Sequence, residues 1–324
     1  MAELPQVTII VLNWNGLNDT LECLESLSHL DYSFYEVVVV DNDSTDGSVP
    51  AIRARYPDVV IIETGENLGY AGGNNVGIQY ALACGADYVF LLNNDTTVNP
   101  QMLKKLIVFA ESNPMAGIVG PKQYFFDQPN VIAGTGSVID WRQGTIRHLR
   151  RGEVECDKSN DGQSDSDVPR KVDFMDGCAV CVRRKFIEEV GMLDERYCLG
   201  GYEDADWGMR AAAHGYQVWN VPEAKMWHKI SAAAGIGSPL TTYYMTRNVL
   251  LFFWEHTSGY RRWFCALRII LRTLQRVGAW TLKSKYRNET FRRKRDANLL
   301  ALRDFFLGRF GRMGPDVAKV CAVG

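Results

Sequence analysis

The run Gly200-Gly201-Tyr202-Glu203-Asp204-Ala205-Asp206-Trp207-Gly208-Met209-Arg210 places three acids within four positions, after two glycines and a tyrosine. It opens a stretch that reads as a helix over Asp206–His214, with Asp206 suited to cap it. Twenty-four residues beyond Asp204 stands His228, preceded by Trp227, and far upstream lies a second acidic site, Asn93-Asn94-Asp95. A carboxylate in such a setting can take the proton of an attacking hydroxyl as general base. Another, offering hard oxygen, can ligate Mg2+ or Mn2+ bridging a diphosphate, and an imidazole as further ligand favours Mn2+. A lone histidine is more often a structural residue than a ligand. The three sites in this order point to metal-assisted group transfer from a nucleotide-activated donor.

Two more polar clusters carry chemistry of their own. Asp41-Asn42-Asp43-Ser44-Thr45-Asp46-Gly47 follows four consecutive valines. A carboxylate there can accept from a base N–H or a ribose hydroxyl, and the flanking amides can meet phosphate; the plain alternative is an Asx-rich turn without a ligand. Asn67-Leu68-Gly69-Tyr70-Ala71-Gly72-Gly73-Asn74-Asn75-Val76-Gly77 sets small residues ahead of a helix start. Close backbone approach to an anionic ligand and tight helix–sheet packing explain that composition equally well. It is neither a Walker loop nor a GxGxxG fingerprint.

The elements that must position these residues alternate. Apolar runs predict strands over Val7–Asn13, Tyr35–Val40, Val59–Glu63 and Tyr88–Asn93, and helices are expected over Asp19–Leu30 (capped by Asn18 or Asp19), Ser48–Tyr56, Asn74–Cys84 and Gln101–Ser112. Further on, Gly117–Gly120 reads as a short strand, Val131–Arg150 as a hairpin or loop insertion and Glu153–Asp167 as a polar loop. Lys171–Arg183 and Gln217–Val221 read as strands, Arg184–Val190 as a short helix, and everything from Thr241 as helical. Alternating units of this length predict a largely parallel sheet with helices on both faces, binding ligands at the carboxyl ends of its strands. The polar clusters fall at those ends.

Composition limits the class. The chain of 324 residues, 46% apolar and 23% charged, suits one large α/β domain with an appendage, or two domains. Its eight cysteines have no framework spacing, so reduced thiols in a cytoplasmic protein are expected, and Cys178-Ala-Val-Cys181 lacks the second pair that zinc would require. No signal peptide or membrane-spanning run is apparent. The net charge of −2 hides polarity: residues 240–312 hold 16 Lys/Arg against 4 Asp/Glu, whereas residues 1–239 hold 19 against 33. In that basic tail Leu250–Trp254 and Trp263–Val277 are interleaved with Arg261, Arg262, Arg268, Arg272 and Arg276. They suit helices lying on an anionic membrane surface, or faces that pack on the catalytic domain or a second subunit as a homo-oligomer. Nucleic acid is not the expected partner.

Together, Val7-Thr-Ile-Ile-Val-Leu-Asn13-Trp-Asn-Gly16, the Asp41–Ser48 loop, Asn67–Gly77, Asn93-Asn94-Asp95, Val190-Gly-Met-Leu-Asp-Glu-Arg-Tyr197 and Tyr202-Glu-Asp-Ala-Asp-Trp207 resemble family 2 inverting glycosyltransferases. Within them the bacterial rhamnosyltransferase and galactofuranosyltransferase branch is the most similar, and Tyr243-Tyr244-Met-Thr-Arg247-Asn248 resembles the tail of that branch. The resemblance runs over residues 5–235. It implies a GT-A fold: a Rossmann-like α/β domain over 1–239, its central sheet mostly parallel, followed by a helical basic extension over 240–324. It also implies a nucleotide-sugar donor and a divalent metal, Mn2+ or Mg2+. Asp41 then matches the base-contacting acid, and Asn13, Asp43, Asn67, Gly69, Asn74, Asn94 and Asp95 complete the donor site. Asp95 matches the last acid of the family's Asp-x-Asp signature and is expected, with His228, to hold the metal; Asn93 at the first position removes one anionic ligand. Asp204 matches the general base, and Glu203, Trp207 and Asp176 are expected on the acceptor side.

The expected activity is inverting transfer of a sugar to a glycan or lipid-linked acceptor in surface polysaccharide assembly. L-Rhamnose from dTDP-rhamnose is the first choice, and UDP-linked galactofuranose or N-acetylglucosamine the alternative. The expected location is the cytoplasm, peripheral at the inner membrane face. A nucleotidyltransferase would need a basic glycine-rich loop near the N-terminus, and Asn13–Asn18 contains no basic residue. A catalytically silent nucleotide-binding or membrane scaffold is the remaining alternative.

Overall fold

The computed structural model describes residues 4–155, 168–199, 201–230 and 237–321. Most of the polar loop expected over Glu153–Asp167 lies outside them. The chain forms two compact units. The first comprises residues 1–138, 147–193 and 207–230, the second residues 139–146, 194–206 and 231–324. The division is therefore not a single cut near residue 239, because two internal segments group with the C-terminal helices.

The first unit is built on a sheet of strands β1 (Val7–Asn13), β2 (Tyr35–Asp41), β3 (Val60–Glu63), β4 (Tyr88–Asn93), β5 (Thr96–Val98), β6 (Ala116–Phe125), β7 (Gln128–Gly134), β10 (Arg170–Val172), β11 (Ala179–Arg183) and β12 (Gln217–His228). The strand order is β10-β12-β6-β11-β4-β1-β2-β3, with β5 on β12 and β7 on β6. Strands β8 (Ser137–Asp140) and β9 (Thr145–His148) form a separate hairpin, as the sequence suggests. Strands β4, β1, β2 and β3 are mutually parallel, and so are β6 and β12. The sheet is nevertheless mixed, because β11 inserts antiparallel between β4 and β6.

Both faces of this sheet are buried, which explains its continuous apolar runs. Along β1, Val7, Ile9 and Val11 pack with helices α1 (Leu17–Leu27) and α4 (Met102–Ser112). Ile10 points to the opposite core, which α3 (Gly69–Ala83), α5 (Arg184–Val190) and α6 (Glu203–Ala213) supply with Ile78, Phe186 and Trp207. Helix α2 (Ser48–Arg55) adds Ile52 to the first face.

Several boundaries differ from the sequence reading. Helix α1 begins after Gly16 with no side-chain cap, so neither Asn18 nor Asp19 caps it. Helix α3 begins five residues earlier than expected, inside the glycine-rich stretch. A Cβ on Gly73 would lie 2.5 Å from a Leu12 methyl and 2.9 Å from the Asn42 amide, so the helix seats on the sheet only without one. Strand β12 continues past Val221 through a bulge to His228.

In the second unit, α7 (Pro239–Glu255), α8 (Gly259–Leu282), α9 (Glu289–Phe306) and α10 (Pro315–Cys321) pack together. Ser238 caps α7 by accepting from the Thr241 amide, with Pro239 at its first position. Leu250, Leu251, Phe252 and Phe253 are fully buried, so this apolar run packs inside the protein rather than facing a membrane. Among the described residues no helix is long and apolar enough to cross a membrane.

Candidate active site

At the carboxyl ends of β1, β2 and β4 the polar residues singled out from the sequence form one hydrogen-bonded set. Asn13, fully buried, is its hub. Its amide donates to Asp41 Oδ2 at 2.7 Å and to Ser44 Oγ at 3.1 Å. Its Oδ1 accepts from the Gly16 amide, the Thr20 hydroxyl and Asn94 Nδ2, at 3.2, 2.8 and 3.0 Å. Asp41 accepts a second bond from the Ser44 amide. The register of the parallel strands makes this possible, since Asn13 lies beside Asp41 across β1 and β2. Asp43 is exposed, with a left-handed backbone at φ +66° that forms the turn.

The segment before α3 adds a second layer. Asn67 Oδ1 accepts from the Gly69 amide and from Asn42 Nδ2. The Asn42 side chain, buried and missed by the sequence reading, also donates to the Gly69 carbonyl. Asn74 lies in the second turn of α3 rather than at its start and donates to the Tyr70 carbonyl. Its buried Oδ1 has no partner among the described residues. The first amides of α3 lack intrahelical acceptors and suit an anionic oxygen.

Asp95 and His228 are brought together by pairing of β5 with β12, which sets Thr96 opposite His228. His228 Nε2 lies 3.1 Å from Asp95 Oδ1, with both side chains largely buried. Burial alone would depress the imidazole, but the Asp95 carboxylate against Nε2, with the Cys178 sulfur beside the ring, holds it above its ordinary value. A bound cation would take the place of that proton. The pair fits a divalent ion in chemistry but not in number, for no group of three His, Cys, Asp or Glu that could hold a metal exists among the described residues. A site with one or two protein ligands, completed by substrate phosphate and water, is the ordinary arrangement for such ions. Cys178 and Cys181 are buried free thiols, and burial raises both.

The remaining expected residues take different places. Asp176 Oδ1 accepts from Ser137 Oγ at 3.0 Å and lies 3.3 Å from His148. Trp207 is buried against Phe186, its indole N–H donating to the Gly191 carbonyl at 2.9 Å. Only 2% exposed and with its N–H engaged, Trp207 has no surface for an acceptor and serves to seat α6.

In the second unit, α6 begins at Glu203 rather than Asp206, and so Asp206 lies within its first turn and does not cap it. Tyr202 precedes the helix at φ +79°, a strained conformation for a side-chain-bearing residue, held by burial and by the Phe252 ring 5.4 Å away. Glu203 is buried, and Oε2 finds no hydrogen-bond partner among the described residues. Burial, reinforced by Asp204 and Asp206, pushes its carboxyl up to about 8. Asp206 is buried and meets His256 Nε2 at 2.8 Å, a partner fifty residues further along the chain that no local pattern announces. Asp204 alone of the three stays half-buried; its Oδ1 accepts the Ala205 amide at 2.8 Å. The chemistry available is thus a hydrogen-bonded polar set at the strand ends with a cation-competent pair in one unit, and a half-buried carboxylate beside a buried one of raised pKa in the other.

Comparison with known proteins gives this arrangement its context. The model of the family described as Glycosyl transferase family 2 matches residues 8–190. A dTDP-rhamnosyl transferase, RfbF, of Shigella flexneri is 28% identical over 226 residues, covering 66% of this chain and 69% of the relative. An N-acetylglucosaminyl-diphospho-decaprenol L-rhamnosyltransferase of Mycobacterium tuberculosis is 29% identical over 272 residues, covering 77% and 83%. Among solved structures, a mannosyltransferase from Pyrobaculum calidifontis in complex with GDP-Man and Mn2+ superposes with a TM-score of 0.57 at 16% identity, covering 95% of this chain and 89% of that one. GalNAc-T7 with UDP, GalNAc and Mn2+ gives 0.60 at 13% identity, covering 95% and 57%. The fold is therefore of the GT-A type, a mixed, mostly parallel sheet followed by C-terminal helices.

Proposed function

The chain belongs to glycosyl transferase family 2, and from that premise we propose that it moves L-rhamnose from dTDP-rhamnose to a glycan or lipid-linked glycan acceptor, inverting the anomeric centre. The observation that carries the reading is the Asp95–His228 pair at 3.1 Å, joined through Asn94 to the Asn13–Asp41 network. In this reading the pair marks the pyrophosphate end of the donor and the Asn13–Asp41 network its nucleoside end. The rhamnosyl donor is supported by the names of two relatives, and the lipid-linked acceptor by that of the mycobacterial one.

In this reading Asp41 and Asn13 bind the nucleoside, and the amides before α3 orient phosphate oxygen. A divalent cation held by Asp95 and His228 would offset charge on the leaving diphosphate. Asp204 takes the proton of the acceptor hydroxyl as it attacks the anomeric carbon opposite the departing diphosphate. Glu203, buried and with its carboxyl pushed up to about 8, is mostly protonated at neutral pH and leaves the half-buried Asp204 as the ionised base. It offers the site a hydrogen-bond donor instead, as a protonated carboxyl does.

The test is transfer from dTDP-L-rhamnose to an N-acetylglucosaminyl-diphospho-lipid, with the product's anomeric configuration read by NMR. Asp204→Asn should lower transfer about 10²–10⁴-fold while leaving the Kd for the donor unchanged. Near-normal turnover of that variant would remove Asp204 from the role. Preference for a UDP-sugar would replace the donor, and absence of both transfer and donor hydrolysis with Mn2+ would defeat the enzymatic reading.

A further inference from the structure

Helix α8 presents two different faces to its surroundings. Inward, Cys265, Ala266, Ile269 and Thr273 are buried in the second unit. Arg262 donates to the Thr257 carbonyl, and Arg272 donates to the Gly144 carbonyl. Outward, Tyr260, Trp263, Phe264, Leu267, Leu271 and Leu274 are between 45% and 79% exposed. Their spacing of three and four residues puts them on one stripe of a helix about 36 Å long. Single exposed apolar side chains are ordinary, but a continuous stripe of this kind marks a contact surface.

Along one border of the stripe run Arg261, Arg268, Arg272 and Arg276. The charge is concentrated enough that Arg272, already disfavoured by burial, is held below its usual value by Arg268 and Arg276. Arg261, Arg268 and Arg276 are exposed, and no ion pair to them exists among the described residues. Between Glu255 and Glu289 the chain carries eight Lys or Arg and no acid, continuing beyond α8 with Lys283, Lys285 and Arg287.

We propose that this face of α8 lies in the interface of an anionic lipid membrane, its apolar stripe among the acyl chains and its arginines on the headgroups. The charge pattern selects that occupant over a second copy of the chain. A two-fold contact would set the arginine ladder against itself or against the apolar stripe, with no acid in the segment to answer it. An anionic lipid surface supplies both the apolar depth and the countercharge. The helix is too cationic to span the bilayer and has the amphipathic pattern of one that lies along it. The proposal concerns lipid alone and holds whichever sugar is transferred.

Flotation of the full chain with vesicles tests it, using equimolar phosphatidylcholine and phosphatidylglycerol against phosphatidylcholine alone, with no glycolipid in either. The chain should float with the anionic vesicles and lose most of that binding in high salt. Leu267→Ser with Leu271→Ser should weaken binding at least about tenfold, through lost apolar burial. Arg268→Gln with Arg276→Gln should weaken it about 25-fold on anionic vesicles only, from two factors of about five. Because these side chains are exposed, both double variants should keep the thermal unfolding midpoint of the parent, which circular dichroism checks. Failure of the parent chain to float, or flotation of the serine variant like the parent, overturns the proposal. So does sedimentation showing that the serine pair abolishes a dimer while vesicles bind neither protein.

Discussion

Asn13 is the position where fold and site are least separable, and its removal yields a prediction with two signatures. Its side chain makes five hydrogen bonds inside a fully buried space, one of them to the Asp41 carboxylate at 2.7 Å. Asn13→Ala strips a charge-assisted bond, worth about 1.5–3 kcal/mol, and leaves buried donors of Thr20 and Asn94 without their acceptor at about 1–3 kcal/mol each. Asn94 retains its bond to Thr20 Oγ1 at 2.9 Å, so part of that cost relaxes. A loss of about 3–5 kcal/mol follows, a large share of the 5–15 kcal/mol typical of folded domains.

Asn13→Asp separates hydrogen bonding from shape. It is isosteric but sets a second carboxylate against Asp41, and two unit charges 2.7 Å apart repel by ~6 kcal/mol at an effective dielectric of 20. The pair relieves that repulsion by binding one proton, so its folded-state pKa rises above the unfolded value. Stability is then retained in acid and lost as pH rises through the raised pKa. Urea unfolding followed by tryptophan fluorescence, in mildly acidic and neutral buffer, reads both variants, and calorimetry reads affinity for dTDP, the nucleotide of the proposed donor. Asn13→Ala should be poorly stable and weak in dTDP binding at either pH, whereas Asn13→Asp should recover much of its stability in acid. An Asn13→Ala protein within about 1 kcal/mol of the parent, or an Asn13→Asp protein indifferent to pH, would refute the account of Asn13 as the hub.

Two further outcomes follow from α6. Glu203 is protonated in the folded protein and ionised in the unfolded chain above its ordinary value of 4.5, so the native state binds the extra proton. The parent should therefore lose stability between pH 4.5 and about 8, by a few kcal/mol, while Glu203→Gln stays flatter across that window. Urea midpoints measured along the pH series decide it, and parallel curves would show that Glu203 is not held neutral. Gly208 faces the backbone of the segment between β10 and β11, and a Cβ there would lie 2.2 Å from the Asp173 carbonyl oxygen. Gly208→Ala must shift the helix, at about 1–3 kcal/mol. A thermal midpoint equal to the parent's would show that the contact yields freely.

Much of the first unit is legible because its strands are buried on both faces. Val7–Asn13, apolar but for Thr8, and Tyr88–Asn93 are runs that end in a polar residue, and both appear as predicted. Strand direction is not written in such runs: Ala-Val-Cys-Val-Arg at 179–183 packs equally well either way, and only tertiary pairing makes β11 antiparallel. The end of β12 was hidden by Pro222 and Glu223, which break the apolar pattern where the bulge carries the strand on to His228. The start of α3 was hidden by its glycines, poor helix formers that this helix needs at Gly73 and Gly77 to approach Leu12 and Ile10. Contacts distant in sequence, Asn42 with Gly69 and Asp206 with His256, leave no local trace.

The acidic cluster shows why a boundary error of three residues matters chemically. Were the helix to start at Asp206, Glu203 and Asp204 would share one loop and nothing would distinguish them. Starting at Glu203, after the left-handed turn at Tyr202, the backbone fixes all three acids about 100° apart per residue. Glu203 and Asp206, three apart, then fall near one side of the helix and are buried, one keeping a proton and the other meeting His256. Asp204, a third of a turn away from Glu203, keeps access to solvent. The three carboxyls of nearly equal intrinsic acidity are thereby given three environments by one turn of helix. An acid–base assignment for this site is accordingly a statement about where α6 begins, and a change that moved its start would alter the roles without removing any acid.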